Sequence, residues 1–478
     1  MGITDKAINS TKWNSVYIII NTVLQLLRIS VLTRYLEQSD FGLMAIALML
    51  VSFTDIFSDL GFTVPIIHKQ NITKIQYSSI FLANSFVSIV IYALLFFFAP
   101  LVANFYNEPQ LVSVIRQIGT IVIINGLGRM FNTIKIKELQ YKFVSIVSIM
   151  AVTIGFIVTF ILAYNRFGIS SLIIGSLVQA AIREVTFFVE GIKSRIVGFH
   201  FSFNAIKDFL KIGSYQMLSL IVDFTGSRID IILIGKFLGM ADLGTYNLAK
   251  ELIHKCYGLL TSATRGIASS AFATLQNDFP QLKNRYNQFC EMFAVLTIVV
   301  FGFTFVFSDT ICSLLYGNNY PNIGTLVRIL SLYGIFYAFT SPACSLFVSF
   351  GRTDLSLRWT CIVSAITIFT TFVFSRFGLI VVGVSQVILA ILFFILSWLL
   401  LIKPIIGFTI NEFLSRYIRP LLIVGVLLFP AYWIATCISS MWINLLFVVG
   451  YHIILLLLIY LLIPNCKSVA HKILKSIF

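Results

Sequence analysis

Seven basic residues lie within long apolar stretches of the sequence, and five of them offer the clearest chemistry. The five are Arg28, Arg228, Lys250, Lys255 and Arg265, and the other two are Arg129 and Arg183. A charge in the middle of a bilayer costs at least about 2.5 kcal/mol unless it meets a partner or water. Ammonium and guanidinium groups bind phosphate, and the planar guanidinium can hold it through two hydrogen bonds. The five residues therefore predict a water-filled site for an anionic ligand, unless they only form ion pairs within the protein.

Five acidic residues in the same stretches are candidates for binding a coupling cation or for pairing with these bases. They are Asp55, Asp59, Asp223, Asp230 and Glu251. Glu251 precedes Lys255 by four residues, a spacing that favours an ion pair on a helix. Arg183 and the adjacent Glu184 are another candidate pair. The seven cysteines are scattered without a C-x-x-C motif, so the sequence indicates neither a metal site nor a cofactor.

These polar residues fall on single faces of the helices that the sequence predicts around them. The eighth apolar stretch has the longest polar stripe, formed by Asn247, Glu251, His254, Gly258, Thr261 and Arg265. The first stretch has Asn14, Asn21, Gln25 and Arg28 on one face, and the seventh has Gln216, Ser219, Asp223, Ser227 and Asp230. Arg228 lies off that last stripe. For His254, a packing role with a hydrogen bond and a role as proton relay both remain open.

Composition sets the environment of these helices. The chain has 478 residues, of which 58% are hydrophobic and 11% charged, with a mean hydropathy of +0.95. A soluble domain carries about 25% charged residues, so this chain is expected to be an integral membrane protein. Its apolar runs are long and uncharged, which favours helices over a barrel. The net charge of +15 is interpreted as topology signals and headgroup contacts rather than as a nucleic-acid surface.

Apolar runs between polar breaks predict about fourteen transmembrane helices, since one span needs about 20 residues. The predicted spans lie at 13–33, 42–66, 77–100, 111–133, 144–164, 170–190, 209–234, 243–272, 288–308, 324–350, 356–376, 379–402, 418–440 and 443–464. With the N-terminus inside, 21 lysines and arginines fall on the inner side and 6 on the outer side. This bias predicts that both termini are cytoplasmic.

A segment that occurs twice indicates an internal repeat. Arg34–Gly42 has a counterpart in Lys236–Gly244, and the matching residues include a leucine, an aspartate and a glycine at equal spacing. Each copy follows an apolar run and precedes a helix-like one. The sequence therefore predicts two six-helix lobes related by a pseudo-two-fold axis along the membrane normal, with the charged cavity between them. The predicted divisions are 1–205 for spans 1–6, 206–402 for spans 7–12, and 403–478 for two additional spans and a cytoplasmic tail.

Several motifs resemble a known family. The run from Val31 to Ala45 is similar to the opening of bacterial polysaccharide transporters, the Wzx-type flippases of the multidrug/oligosaccharidyl-lipid/polysaccharide superfamily. Asp59–Gly61, Arg228–Asp230 with Ile234–Gly239, and Gly351–Asp354 resemble further stretches of that family. The sequence departs from it at Glu37-Gln38, where the family often has Gly-Pro. The resemblance covers nearly the whole chain.

The resemblance implies a flippase of the bacterial inner membrane that works by alternating access. Its cargo would be an undecaprenyl-pyrophosphate-linked oligosaccharide, moved from the cytoplasmic to the periplasmic leaflet for O-antigen, exopolysaccharide or capsule synthesis. Expected partners are membrane lipids, a coupling ion (Na⁺ or H⁺), a polysaccharide polymerase and its chain-length machinery, and no nucleic acid.

Two other functions compete with this one. An ion-coupled exporter of small organic cations, from the same superfamily, would be expected to have an acidic cavity, whereas the polar faces here carry more bases than acids. A polymerase or ligase acting on the same glycolipids would be expected to need a large outer loop with catalytic side chains, and every predicted loop is short. The sequence therefore predicts a transporter and not an enzyme.

Overall fold

The computed structural model describes residues 3–198, 200–276, 278–317, 319–437 and 450–451, and within them all regular secondary structure is helical. The predicted all-α membrane fold is thereby confirmed. Predicted span 14 at 443–464 falls almost wholly outside the described residues, as does the tail that follows it.

The helices follow one another with short connections. They are α1 (Ile3–Leu32), α2 (Gln38–Ser58), α3 (Thr63–His68), α4 (Lys74–Tyr106), α5 (Gln110–Lys137), α6 (Tyr141–Tyr164), α7 (Ile169–Lys193), α8 (Phe203–Phe237), α9 (Met240–Ala273), α10 (Phe279–Val306), α11 (Ser308–Tyr316), α12 (Ile323–Phe339), α13 (Ser341–Ser349), α14 (Thr353–Phe374), α15 (Leu379–Ser397), α16 (Lys403–Ile406) and α17 (Ile410–Cys437). A π-helical turn at Trp398–Ile402 joins α15 to α16.

Eleven helical segments in the described part of the chain are long and apolar enough to cross a membrane. Helices α8 and α9 are not among them, although they have 35 and 34 residues and are therefore long enough. They hold the predicted spans 7 and 8, which the sequence marks as rich in charged residues. The predicted total of fourteen spans and the orientation of the termini stay predictions.

Local sequence signals account for where several helices begin and end. Thr73 accepts a hydrogen bond from the backbone of Gln76, while the Gln76 side chain accepts one from the backbone of Thr73. This reciprocal pair caps the start of α4. The helix ends at Asn107, whose left-handed backbone (φ 58°) is tolerated by asparagine better than by most residues. Asp278 similarly caps α10 by accepting from the backbone of Gln281.

The helices form two compact units. The first contains the chain up to Asn247 together with Ser364–Arg376, and the second contains Leu248–Val363 together with the chain from Phe377 onward. The lobe boundaries predicted at 205/206 and 402/403 divide the chain differently and stay predictions.

The first unit is organised around helices α2 and α4–α7 and the first turns of α8. Its apolar core is formed by Phe62, Ile66, Ile80, Phe81, Met130, Phe131, Ile134, Val147, Phe187, Ile206 and Phe209. Ile206 and Phe209 belong to α8, so the start of that helix is anchored by burial of apolar surface. In the second unit, α10 packs against α12 and α17, and α12 packs against α15.

Some helix pairs at equivalent places in the sequence pack alike, as expected for an internal repeat. Helix α4 packs on α5 as α10 packs on α12, and α5 packs on α7 as α12 packs on α15. Helix α1 packs on α6, and the equivalent α8 lies so close to α14 that Gly226 contacts Ser364. These matches support the repeat that the sequence predicted from its duplicated segment.

Candidate functional site

Arg28 is held against a neighbouring helix of the first unit. Its guanidinium donates to the Ser176 hydroxyl at 2.9 Å and to the Leu172 carbonyl at 3.2 Å, both on α7. The sequence predicted this residue as a ligand for an anion because it lacks an acidic neighbour one turn away. The structure supplies neutral acceptors from a helix about 145 residues further on, which sequence spacing could not indicate.

Asp55 lies at the centre of a hydrogen-bonded network that also includes Arg129 and Asn125. The guanidinium of Arg129 approaches the Asp55 carboxylate at 2.6 Å and donates to its backbone carbonyl at 2.8 Å. The Asn125 amide donates to both carboxylate oxygens, at 3.2 and 3.3 Å. Both side chains come from α5. The sequence left two roles open for Asp55, binding of a coupling cation and pairing with a base. This geometry matches pairing.

Asp59 ends α2 and organises the turn that follows. Its carboxylate accepts from the Thr63 hydroxyl at 2.7 Å and more weakly from the Thr63 backbone at 3.4 Å. These bonds tie the end of α2 to Thr63, the first residue of the short helix α3. The position is therefore compatible with a structural role for Asp59.

A second charged pair of the first unit joins a partly exposed guanidinium to a deeply buried carboxylate. The Arg183 guanidinium contacts the Glu184 carboxylate at 2.6 Å, and only 2% of the Glu184 side chain is exposed. Both hydrogen bonds from Arg183 go to one carboxylate oxygen. This contact matches the ion pair that the sequence suggested from the adjacent positions of the two residues.

The charged residues of α8 differ in their surroundings. Asp230 is 3% exposed and accepts a hydrogen bond of 2.8 Å from the Tyr246 hydroxyl. Asp223 and Arg228 are exposed. An exposed carboxylate and guanidinium on a helix that packs against the apolar spans α2 and α4 are compatible with water and not with lipid.

Helix α9 carries the remaining predicted residues. Lys255 contacts Glu251 at 3.6 Å across one helical turn, the spacing that the sequence indicated, and Lys250 is partly buried. Both members of the pair are about one quarter to one third exposed, so the ion pair is partly hydrated. The side chain of Arg265 lies outside what the structure describes, and its predicted role stays a prediction.

Metal chemistry finds no support in the described part of the chain, where no group of three or more His, Cys, Asp or Glu side chains is placed to hold a metal ion.

The sequence did not place Arg129 among the candidate site residues, although it lies beside Asp55 in the structure. It pairs with an acid 74 residues away on another helix, and no local spacing signals such a contact.

Long membrane-spanning helices with charged side chains concentrated on a few of them define a polytopic membrane protein of the transporter class. The chain belongs to the polysaccharide biosynthesis protein family, whose model matches residues 31–325. The resemblance predicted from the sequence motifs is thereby confirmed.

Individual proteins extend the comparison over most of the chain. The lipopolysaccharide biosynthesis protein WzxC of Escherichia coli (strain K12) is 24% identical over 87% of this chain and 84% of its own. The teichuronic acid biosynthesis protein TuaB of Bacillus subtilis (strain 168) is 23% identical over 88% and 87%. The fold is similar to that of the lipid II flippase MurJ in its inward closed conformation, with 16% identity, a TM-score of 0.76 and coverage of 93% of this chain and 98% of that one.

Proposed function

We propose that this protein moves an undecaprenyl-pyrophosphate-linked oligosaccharide from the cytoplasmic to the outer leaflet of a bacterial inner membrane by alternating access. Membership of the polysaccharide biosynthesis family supports this proposal, as do relatives named for lipopolysaccharide and teichuronic acid synthesis. A fold shared with a lipid II flippase is consistent with it.

The distribution of charge in this chain is suited to such a cargo. A diphosphate and a glycan cannot cross hydrocarbon without a hydrated path, while a polyprenyl tail can stay in lipid. The observation that carries the proposal is the exposed Arg228 on α8, a long helix that packs against the apolar spans α2 and α4. A guanidinium in that position requires water or an anion.

Within this proposal, the diphosphate would be bound by Arg28, Arg228, Lys250, Lys255 and Arg265. Arg28 and Lys255 have partners in this structure, so binding through them requires an exchange of those partners for phosphate oxygens. Of the acidic set, Asp223 is exposed and is the better candidate for a coupling Na⁺ or H⁺, because Asp55, Asp59 and Asp230 have hydrogen-bond donors. Glu251 would compete with the diphosphate for the ammonium group of Lys255.

The proposal extends to the setting of the protein in the cell. Both termini would be cytoplasmic, and the exported lipid would be passed to a polysaccharide polymerase and its chain-length machinery. A transporter of this kind makes no covalent bond and needs no cofactor of its own.

The second candidate is an ion-coupled exporter of small organic cations. Such a ligand would favour exposed carboxylates, and Asp223 is the feature that supports this function. Arg228 on the same helix adds an exposed positive charge that a cation would not favour, although it lies off the stripe that carries Asp223. The first function therefore fits the charges better.

Export of surface polysaccharide and accumulation of its lipid-linked precursor test the proposal in the source organism. Deletion of the gene should abolish surface glycan and cause the precursor to accumulate in the inner membrane. Arg228→Ala should reproduce much of this loss at matched expression, and Arg228→Lys should restore part of the export. Arg285→Ala, which changes an exposed arginine near the start of α10, is the matched control and should export normally.

Normal surface glycan after deletion would overturn the proposed function. Normal export by Arg228→Ala would leave the function intact and remove this residue from the site. Drug sensitivity in the deletion strain with unchanged glycan would favour the exporter of organic cations.

A further inference from the structure

Four aromatic rings of the second unit form a continuous cluster between α9 and α12. The rings of Tyr257 and Tyr337 lie 4.9 Å apart, centroid to centroid, and those of Tyr333 and Tyr337 are stacked at 5.3 Å. The imidazole of His254 lies 6.3 Å from the ring of Tyr337. These distances are typical of interacting aromatic side chains.

The cluster is not part of the apolar core. The three tyrosines are only partly buried and His254 is exposed. Another aromatic cluster of the same unit shows the contrast, because its members are 2–4% exposed; they are Phe339, Phe394, Phe413 and Tyr417. Packing alone would have buried the tyrosines of α9 and α12 in the same way.

The surface of α9 beside this aromatic cluster carries a glycine, Gly258. Gly258 follows His254 by one helical turn and faces the same side of α9. A Cβ added to Gly258 would have no described heavy atom within 4 Å. Among the described residues, the surface of α9 at Gly258 is therefore open on the side that His254 faces.

The charges around the cluster argue against lipid as the neighbour. Glu251 lies on the same face of α9 as His254, and Lys255 flanks that face; both side chains keep part of their surface exposed. Charged groups that face hydrocarbon cost several kcal/mol, so this face is hydrated. The two lysines of α9, Lys250 and Lys255, outnumber the one glutamate, which also disfavours an organic cation.

We propose that His254, Tyr257, Tyr333 and Tyr337 form a sugar-binding face that takes a pyranose ring of the glycan cargo. Aromatic rings stack on the C–H faces of sugars, and nearby charged groups hydrogen-bond to sugar hydroxyls. A hydrated surface with stacked rings, both donors and acceptors, and open space beside Gly258 suits such a ligand. The inference rests on the proposed function and adds to it a separate site for the sugar, near Lys250 and Lys255 of the same helix α9.

Binding to two lipids by the purified full-length protein distinguishes the sugar from the diphosphate. One probe is the oligosaccharide-bearing polyprenyl pyrophosphate extracted from membranes of the source organism, and the other is undecaprenyl pyrophosphate without sugar. Tyr337→Ala should weaken binding of the first by about tenfold, because one stacking interaction is lost, and should leave the second unchanged.

Gly258→Trp gives an independent test that does not depend on removing a ring. The indole would fill the open space beside the cluster, and the sugar-bearing lipid should again bind about tenfold more weakly. Gly258→Ala is the matched control, because a methyl group there meets no described atom. Tyr164→Ala removes a tyrosine that is 67% exposed on α6 and should leave both affinities unchanged.

The outcomes separate the sugar face from the function itself. Unchanged binding of the sugar-bearing lipid by Gly258→Trp and a folded Tyr337→Ala would overturn the sugar face. Equal weakening for both lipids would also overturn it, because the residues would then act on the diphosphate or on folding. If the parent protein bound neither lipid, the proposed function would fall together with this inference.

Discussion

Gly42 lies directly against the backbone carbonyl of Met240, so closely that an added Cβ would overlap the oxygen. The same contact recurs with the partners exchanged, because Gly244 lies against the carbonyl of Gln38. Gln38 and Met240 occupy the same place in the two copies of the duplicated segment, as do Gly42 and Gly244. The first turns of α2 and α9 therefore pack on each other through a symmetric junction that only glycine permits.

Substitution at this junction should destabilise the protein. Gly42→Ala and Gly244→Ala would each force two backbones apart, and overpacking of this kind typically costs about 1–3 kcal/mol. We expect each variant to lower the melting temperature of the purified protein in detergent, with similar effects because the contacts are equivalent.

Gly258→Ala is the control for the general effect of replacing a helical glycine. Its added methyl group meets no described atom, and alanine favours a helix over glycine by up to about 1 kcal/mol, so this variant should melt at the same temperature or higher. Equal melting of Gly42→Ala and the parent would contradict the close contact.

The Asp55–Arg129 pair should contribute more to stability than an exposed ion pair of similar geometry. Arg129→Ala leaves a carboxylate in a mostly buried position, with only the Asn125 amide remaining among its described side-chain partners. We expect a loss of about 1–3 kcal/mol in unfolding free energy, the cost of an unsatisfied buried polar group. Thermal or denaturant unfolding of the purified variants provides the measurement.

Lys283 and Glu412 form the matched comparison. Their atoms are 2.9 Å apart, but the side chains are 38% and 42% exposed. Exposed pairs contribute about 0–1 kcal/mol, so Lys283→Ala should have a small effect. A loss for Lys283→Ala as large as that for Arg129→Ala would show that burial does not set the strength of these pairs.

The sequence was sufficient for the class of fold because composition and long apolar runs constrain a membrane chain strongly. It also located the repeat, since Arg34–Gly42 and Lys236–Gly244 share residues that the junction between α2 and α9 requires. The i, i+4 spacing of Glu251 and Lys255 predicted their contact. All of these signals are either local or averaged over many residues.

Contacts between helices that lie far apart in the chain could not be predicted from the sequence. Arg28 of α1 reaches Ser176 on α7, and Arg129 meets Asp55 through the packing of α5 on α2. A single sequence gives the face on which a polar residue lies, but it does not give the rotation of one helix against another. The aromatic cluster was missed for the same reason, since Tyr333 and Tyr337 come from α12 while His254 and Tyr257 come from α9.

The Arg183–Glu184 pair predicts that a second substitution restores part of the unfolding free energy that the first one removes. Arg183→Ala removes the basic partner of a carboxylate that is 2% exposed, which should lower the unfolding free energy by about 2 kcal/mol or more. Adding Glu184→Gln removes the isolated charge and should recover part of the loss. A double variant less stable than Arg183→Ala alone would mean that Glu184 has a stabilising role apart from this arginine.

The Glu251–Lys255 pair predicts opposite effects of two substitutions on ligand binding. If Lys255 binds the diphosphate, then Glu251 competes with phosphate for its ammonium group, because the two side chains are 3.6 Å apart. Glu251→Gln should therefore strengthen binding of undecaprenyl pyrophosphate by about threefold, and Lys255→Gln should weaken it by a similar factor. Both effects should shrink as salt is raised, since the pair is partly exposed to water.

Lys283→Gln and Glu412→Gln change an ion pair on α10 and α17 and should leave this affinity unchanged, which controls for the loss of charge in general. Weaker binding by Glu251→Gln would contradict competition, because it would mean that the carboxylate contacts the ligand or holds α9 in its binding form. Unchanged binding by Lys255→Gln at low salt would remove Lys255 from the anion site, because low salt is the condition under which a charge on α9 acts most strongly on a diphosphate.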